Sequence, residues 1–172
     1  MPIESEAPIV LADYDPVWPA GFERERVRLA IVLREWLAGP IEHIGSTAVP
    51  GLRAKPIIDI MAGVHTLDDS RPAIAAATGL QYVYFPYRTD VMHWFCKPSP
   101  VHRTHHLHLV PVTSQLWADR LAFRDHLRQC PMLAAEYAAL KSELANQFRT
   151  DREGYTDAKA PFIARVLDLA RR

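Results

Sequence analysis

The run from Pro56 to Val64 constrains the fold of this chain most, because it carries one acid among apolar and β-branched residues. The composition of Ile57 to Val64 predicts a buried strand. Asp59 lies within that strand, and a carboxylate removed from water needs a partner or a function. The two-residue repeat of a strand places Asp59 and Met61 on one face and the isoleucines on the other. The carboxylate is therefore expected to point away from the apolar, helix-covered side.

The remaining apolar patterns predict an α/β (α+β) fold with a mixed sheet of about five strands. A flanking N-terminal helix is predicted over Trp18–Leu37, with Gly39-Pro40 as its stop, and a short helix over residues 70–78. The other predicted strands are Ile41–Ser46, Leu80–Pro86, Val91–Lys97 and Thr104–Val110. A C-terminal group of three helices follows: Ser114–Gln129, a helix from Pro131 with apolar residues through Phe148, and a last one near Lys159–Ala170.

Length and composition indicate one soluble domain over residues 1–172, with a core at about 11–112 and a helical extension at about 114–172. Basic and acidic residues number 20 each, which excludes a uniform attraction to nucleic acid or to an anionic membrane. Met1 to Val10 lacks a signal pattern, and no apolar stretch is long enough to span a membrane. We therefore expect a cytoplasmic protein. Cys96 and Cys130 are expected to be reduced thiols.

The end of the first predicted strand is a candidate phosphate site. Gly45 has no Cβ and lets a phosphate approach the backbone, while the Ser46 hydroxyl and the following amides can donate to its oxygens. A strand-to-loop turn would by itself also explain this Gly-Ser pair. Lys55 is either a further phosphate ligand or a cation of the surface loop.

A second candidate site is a strand that holds three of the eight histidines. On this strand His106 and His108 share a face, and in an aligned sheet that face is the one carrying Asp59. Two imidazoles and a carboxylate can bind a transition metal. Alternating histidines can equally be polar residues bonded to backbone or water. By strand parity, His93 and Lys97 are also expected to reach this face.

Four motifs in the same order resemble the GrpB family of predicted nucleotidyltransferases: HIGSTAVPGLRAKPIIDI, RTHHLHLV, LAFRDHLR and YAALKSELA. The motif of the wider nucleotidyltransferase superfamily is a Gly-Ser, a gap of similar size, and Asp-x-Asp on a strand. The resemblance runs from about Leu11 to Leu167. It implies a nucleotidyltransferase-like core with added C-terminal helices, a nucleoside triphosphate as ligand and a divalent metal as cofactor.

The chain departs from the superfamily motif at Met61, which stands where the second acid would be. Members with the full motif hold two Mg²⁺ with the acid pair and a third carboxylate from a later strand, where this chain has His106 and His108. A thioether does not bind Mg²⁺, and imidazole is a poor ligand for it. The alternatives left are a one-metal reaction, a change to Mn²⁺ or Zn²⁺, and a nucleotide-shaped pocket without catalysis.

The leading hypothesis is a protein that binds a nucleoside triphosphate with a divalent metal and transfers a nucleoside monophosphate to an acceptor. Asp59 would hold the metal, and His106 or His108 would complete its shell or act as the base, with His108 and Asp59 as the catalytic pair. Lys55 and Arg103 would neutralise phosphate charge.

Two hypotheses from other classes stay open. The first is a non-catalytic binding or folding-accessory module with a protein partner, because similar domains occur fused to dephospho-CoA kinase. The second is a transition-metal hydrolase built on the same carboxylate and two histidines. Neither nucleic acid nor a membrane is an expected partner.

Several polar and aromatic residues are assigned structural roles. Trp94 is assigned to the core. Arg124 and Asp125 are assigned to an interhelical ion pair, with bracing of the site as the alternative. Lys141 and Lys159 are assigned to solvated helix faces, from which either would reach a triphosphate only if its helix crosses the site.

Overall fold

The computed structural model describes residues 7–172, so the first six residues of the segment expected to lack a signal lie outside the described residues. The helices are α1 (Val17–Val32), α2 (Ala73–Thr78), α3 (Gln115–Gln129), α4 (Pro131–Gln147), α5 (Arg152–Ala158) and α6 (Ala160–Ala170). The strands are β1 (Leu37–Ile44), β2 (Ile58–Val64), β3 (Val83–Phe85), β4 (His93–Pro98) and β5 (Arg103–Pro111). Over the described part of the chain, no helix is both long and apolar enough to cross a bilayer.

The strands form one mixed sheet in the order β1-β2-β5-β4-β3, as the predicted fold class requires. Strands β2 and β5 are parallel, and the other neighbours are antiparallel. The register places Asp59 beside His106 on β5 and beside Ile44 on β1. The sheet therefore brings the acid and the histidine strand together in its interior, as the sequence predicts.

The two faces of the sheet pack against different helices. On the first face, α1 and α2 cover a core that includes Leu29, Ile60 and Leu107. On the second face, Met61 and Trp94 belong to a core that also contains Trp117 of α3. The alternation predicted for β2 and the burial of Trp94 are both confirmed. The C-terminal helices form a further core beside the loop after β1.

Helix α1 ends, and strand β1 begins, earlier in the chain than the sequence predicts. Helix α1 ends at Val32, and β1 begins at Leu37 and runs through Gly39-Pro40, which the sequence marks as a stop. Strand β1 lies at the edge of the sheet, where a proline removes no ladder hydrogen bond. A shift of register between Leu37 and Ile41 accommodates the pair.

The C-terminal group contains a fourth helix, α5, in addition to the three predicted. Asp151 caps it by accepting a hydrogen bond from the Gly154 amide at 2.8 Å. With seven residues and only Tyr155 buried, α5 is too short to show an apolar repeat. The last helix begins at Ala160 with Pro161 in its first turn, as predicted.

Candidate functional site

Asp59 is held between two imidazoles on the sheet face opposite α1. His106 Nδ1 lies 2.9 Å and His108 Nε2 lies 3.4 Å from the same oxygen, Asp59 Oδ1. Burial alone would raise the pKa of Asp59, but the hydrogen bonds from the two histidines outweigh it and hold that pKa well below its ordinary range. The side chain keeps 28% of its surface exposed. Asp59 is therefore an ionised carboxylate that a ligand can still approach.

Arg120, a residue of α3 that the sequence did not single out, fixes the proton position on His108. Its guanidinium can only donate, and it lies 2.7 Å from His108 Nδ1. The His108 proton must then be on Nε2, the nitrogen that faces Asp59. Burial, followed by the charge of Arg120, lowers the pKa of His108 to about 3, so the ring is neutral at pH 7. His108 links Arg120 to the carboxylate.

His106 carries its proton on the other nitrogen. Its Nδ1 faces Asp59 as the donor, which leaves a lone pair on Nε2. Within residues 7–172, Nε2 is buried and has no hydrogen-bond partner. An imidazole held at one nitrogen by a carboxylate, with a lone pair on the other, is the usual form of a general base or a metal ligand.

The three predicted metal ligands do come together, with one donor atom from each lying within 4.8 Å of the others. Their arrangement does not fit the implied metals. Mg²⁺ takes oxygen ligands, and Asp59 is the one carboxylate of the group. To be held by all three residues, Zn²⁺ or Mn²⁺ would need a lone pair on His108 Nε2. In this arrangement that nitrogen carries the proton donated to Asp59 and has no lone pair to offer. The contacts therefore describe a proton network around Asp59.

The Gly45-Ser46 turn lies directly against this carboxylate. Gly45 ends β1 with φ of 73°, and a Cβ built there would lie 2.7 Å from Asp59 Oδ2. Only glycine satisfies both conditions. Ser46 opens a single 3-10 turn, Ser46–Ala48. The predicted phosphate turn and the acid therefore belong to one site.

Helix α3 braces the turn from the side. Arg124 pairs with Asp125 at 2.8 Å within α3 and not between helices as predicted, and it also donates to the carbonyl of His43 at 3.0 Å. One helical turn later, Arg128 donates to the carbonyl of Ala48 at 2.9 Å. The two arginines therefore fix the backbone on both sides of the turn.

Three lysines, Lys55, Lys141 and Lys159, converge around two tyrosine rings, and we call them the lysine cluster. The Nζ atoms of Lys55 and Lys159 lie 5.0 Å and 4.4 Å from the centroid of Tyr155. The Nζ atom of Lys141 lies 4.9 Å from the centroid of Tyr137. Helix α4, helix α5 and the residue between α5 and α6 thus place cations and aromatic rings beside the loop that carries Lys55.

Burial and the neighbouring cations lower the pKa of two lysines of the cluster. Lys141 is only 2% exposed and donates to the carbonyl of Arg53. Burial, followed by the charges of Lys159, Lys55 and Arg53, lowers the pKa of Lys141 to about 7. Burial and then Lys55 lower the pKa of Lys159 to about 8. Both amines therefore titrate near neutral pH.

The lysine cluster adjoins Asp59 and the Gly45-Ser46 turn. The Asp59 charge acts on Lys159, raising its pKa against the larger effect of burial. Burial and Tyr155 raise the pKa of the Tyr137 phenol, and a hydrogen bond with Ser46 lowers it. The carboxylate, the serine and the cations accordingly face a common region.

The prediction that Lys141 is solvated is wrong, and Lys159 is half-buried. A feature of the composition could have revealed this. Lysine supplies only four of the 20 basic residues, and all four lysines are buried or half-buried. In a chain that uses arginine as its general surface cation, the few lysines mark special positions.

The prediction that His93 and Lys97 face the site is wrong. On β4 it is Trp94 and Cys96 that pair with His108 and His106. His93 and Lys97 alternate with these residues and therefore point to the α1 side. There Lys97 Nζ lies 2.9 Å from a carboxylate oxygen of Glu25. Both cysteines are free, as expected.

Arg103, expected at the phosphates, lies against an aromatic ring. Its guanidinium carbon is 5.3 Å from the centroid of Trp94, and its Nε donates to the carbonyl of Pro100 at 2.7 Å. Its assignment to phosphate stays a prediction.

Comparisons with known proteins agree on one relationship. Residues 8–169 match the family model described as GrpB protein. The chain is 42% identical to a UPF0157 protein of Pseudomonas aeruginosa, over 91% of this chain and 65% of that protein. It is 31% identical to the glutamate-rich protein GrpB of Alkalihalophilus pseudofirmus, over 93% and 94% of the two chains. The crystal structure of conserved protein GrpB from Enterococcus faecalis is similar with a TM-score of 0.84 at 32% identity, covering 94% of this chain and 96% of that one. The chain thus spans just under two thirds of the Pseudomonas relative and nearly all of the other two.

Proposed function

The chain belongs to the GrpB family, and from this premise we propose that it binds a nucleoside triphosphate beside Asp59, with the lysine cluster holding the phosphates. The observation that carries the proposal is the convergence of Lys55, Lys141 and Lys159. Like charges gathered in a region of low water exposure repel one another and lose their protons. A polyphosphate would supply the missing negative charge and restore those protons.

The turn at Gly45 and Ser46 supports the same assignment. Because Gly45 has no side chain, the turn that carries Ser46 lies directly against Asp59 Oδ2. The Ser46 hydroxyl adds a donor next to Tyr137. The lysines would take the part that a divalent metal plays in the superfamily motif, which agrees with the poor fit of the Asp59 group to Mg²⁺.

The first candidate activity is transfer of a nucleoside monophosphate to an acceptor hydroxyl. The contacts favour His106 over His108 as the base, because His106 Nε2 keeps its lone pair. The acceptor oxygen would form a bond to the α-phosphorus while its proton moves to His106 Nε2. The bond from that phosphorus to pyrophosphate would break, and the lysine cluster would stabilise the leaving group. Asp59 would stabilise the imidazolium.

The second candidate is ligand binding without transfer, in an accessory module that acts on a partner protein. Met61 favours it. This residue is fully buried beside Ile44 and Trp94 and leaves the motif without its second acid. Release of pyrophosphate from a bound triphosphate separates the two candidates, because only the first produces it.

The proposal is tested by thermal shift and calorimetry with the full chain. The ligands are the four ribonucleoside triphosphates and inorganic tripolyphosphate, each without metal and with Mg²⁺, Mn²⁺ or Zn²⁺. We expect stabilisation without metal. Ligand at 100 times its Kd adds about 2.7 kcal/mol to the free energy of unfolding, or about 5–10 °C in Tm for a chain of this size.

Variants identify which charged side chains bind the phosphates. Lys159→Met should abolish the shift, whereas Asp59→Asn should keep it, because the phosphates gain nothing from the carboxylate. Arg26→Met is the matched control, since it removes a cation that pairs with Glu23 on α1, across the sheet from the site. A shift that requires metal and disappears in Asp59→Asn would favour the metal site instead. If no triphosphate stabilises the chain under any condition, the proposal is wrong.

A further inference from the structure

Two exposed aromatic side chains lie at one edge of the sheet, on the same face as Asp59. Phe85 of β3 is 49% exposed, and Tyr87, just after β3, is 47% exposed. Each presents an edge-to-face contact to the buried ring of Trp94, with centroids 6.0 Å apart in both pairs. We call Phe85, Tyr87 and Trp94 the aromatic edge. Exposed rings arranged around a buried one have apolar area that a flat ligand can cover.

The aromatic edge is connected to the site along the sheet. The Trp94 ring lies 5.0 Å from the His106 ring, which bonds to Asp59. These two rings thus join the aromatic edge, at one end, to the carboxylate at the other.

The separation of the two ends can be taken from the sheet. Strands β2, β5, β4 and β3 are consecutive neighbours, so Asp59 and Phe85 are three strand spacings apart. Phe85 is level with Met61, two residues along the strand from Asp59. At roughly 4.8 Å for each spacing and 3.3 Å for each residue, the separation amounts to about 16 Å. That span is comparable to an extended nucleoside triphosphate. With its phosphates at the lysine cluster beside Asp59, such a ligand places its ring at the opposite end.

We infer that the aromatic edge is the subsite for the planar ring of the bound nucleotide, which stacks on Phe85 and Tyr87 beside Trp94. This inference rests on the proposed function, because it names the contact made by the part of the ligand that the lysines do not touch. Arg103, over the Trp94 ring at 5.3 Å, adds a cation that favours an electron-rich ring. Stacking accepts every base, since each has a π-face. The site should therefore discriminate little among the four bases.

The test compares a nucleoside triphosphate with inorganic tripolyphosphate, which carries the phosphates but no ring. Calorimetry is done with the wild type, with the double variant Phe85→Leu/Tyr87→Leu, and with Lys159→Met. Leucine keeps apolar side chains at the sheet edge but removes both rings. Ile31→Ala, at an exposed apolar position on α1, is the matched control.

We expect the double variant to bind the nucleoside triphosphate about tenfold or more weakly and tripolyphosphate as the wild type does. Lys159→Met should weaken both. The four nucleoside triphosphates should differ by only a few-fold in the wild type. Equal affinity of the double variant and the wild type for the nucleoside triphosphate would overturn the inference and leave the proposed function standing. Failure of the wild type to bind either ligand would overturn both.

Sedimentation of the same variants addresses the other use of an exposed sheet edge. A wild type that is dimeric, a double variant that is monomeric, and unchanged nucleotide affinity in that variant would assign the aromatic edge to contact between two copies. That combination also overturns the inference.

Discussion

Replacement of Lys141 by methionine should make the unliganded protein more stable at neutral pH and less able to bind phosphate. Lys141 is 2% exposed, and its hydrogen bond goes to a neutral acceptor, the carbonyl of Arg53. Apart from burial, the groups that shift its pKa are all cations: Lys159, Lys55 and Arg53. Burial of this charged amine therefore lowers the free energy of unfolding, and an apolar side chain at the same position would not have this effect.

The size and sign of the effect follow from the pKa. Folding lowers the pKa of Lys141 from 10.5 to about 7. Between these values the unfolded chain binds more protons, so the free energy of unfolding rises with pH. At roughly 1.4 kcal/mol per pKa unit, the penalty is about 5 kcal/mol below pH 7 and is largely gone near pH 10.

Lys141→Met removes this penalty and loses one hydrogen bond, which costs about 1–2 kcal/mol. We expect the variant to be more stable than the wild type by about 3 kcal/mol near pH 6, or about 6–12 °C in Tm. Near pH 10 it should be slightly less stable. Urea denaturation in a buffer without phosphate, at pH values from about 6 to about 10, measures the difference.

Lys97→Met is the matched control, because Lys97 is also buried but pairs with Glu25 at 2.9 Å. Its loss leaves the buried Glu25 carboxylate with only the exposed Arg28 as its cation and should destabilise the protein by about 3 kcal/mol. A difference between Lys141→Met and the wild type that does not change with pH would refute the reasoning. It would mean that Lys141 stays protonated throughout.

Three further predictions follow from the site. Gly45→Ala should lower the free energy of unfolding by about 2–4 kcal/mol in thermal denaturation, because the new Cβ meets Asp59 Oδ2 at 2.7 Å and φ is 73°. Gly51→Ala, with φ of 79° but nothing within 4 Å, should show the backbone cost alone, and equal losses would contradict the contact with Asp59. Nitrogen NMR of the imidazole rings should find the proton on Nδ1 in His106 and on Nε2 in His108; a proton on Nδ1 of His108 would contradict the role given to Arg120. Triphosphate affinity measured by calorimetry should fall as pH rises from about 7 to about 9.5, because Lys141 and Lys159, with pKa values of about 7 and 8, lose their charge. The fall should approach tenfold per pH unit for each deprotonated lysine, and an affinity that is constant over this range would exclude both lysines from binding.

The sequence predicts the sheet and the centre of the site because both rest on local patterns. The two-residue repeat of β2 and β5 suffices to bring Asp59, His106 and His108 together once the strands are paired in register. The residues of β4 do not by themselves fix which of its faces lies toward Asp59. His93 and Lys97 share one parity and Trp94 the other, and only the register with β5, across the turn at residues 98–103, decides between them.

The rest of the site depends on tertiary packing. Lys141 lies on α4 and Lys159 between α5 and α6, in segments that look ordinary in sequence. Their burial arises only when these helices pack beside the loop that carries Lys55. The contact of Arg120 with His108 likewise requires α3 to cross the sheet. No local repeat predicts such crossings. The single-domain organisation and the cytoplasmic location stay predictions.

The distribution of lysines also determines how this protein will react with acylating reagents. All four lysine side chains are buried or half-buried, so the chain offers amine-reactive probes no fully exposed lysine. Lys141 and Lys159, with pKa values lowered to about 7 and about 8, hold a substantial share of the nucleophilic neutral form near pH 7, and the half-buried Lys159 is the more accessible of the two. Covalent labelling at neutral pH should therefore concentrate at the lysine cluster, and protection from it should report occupancy of the site without any assay of turnover.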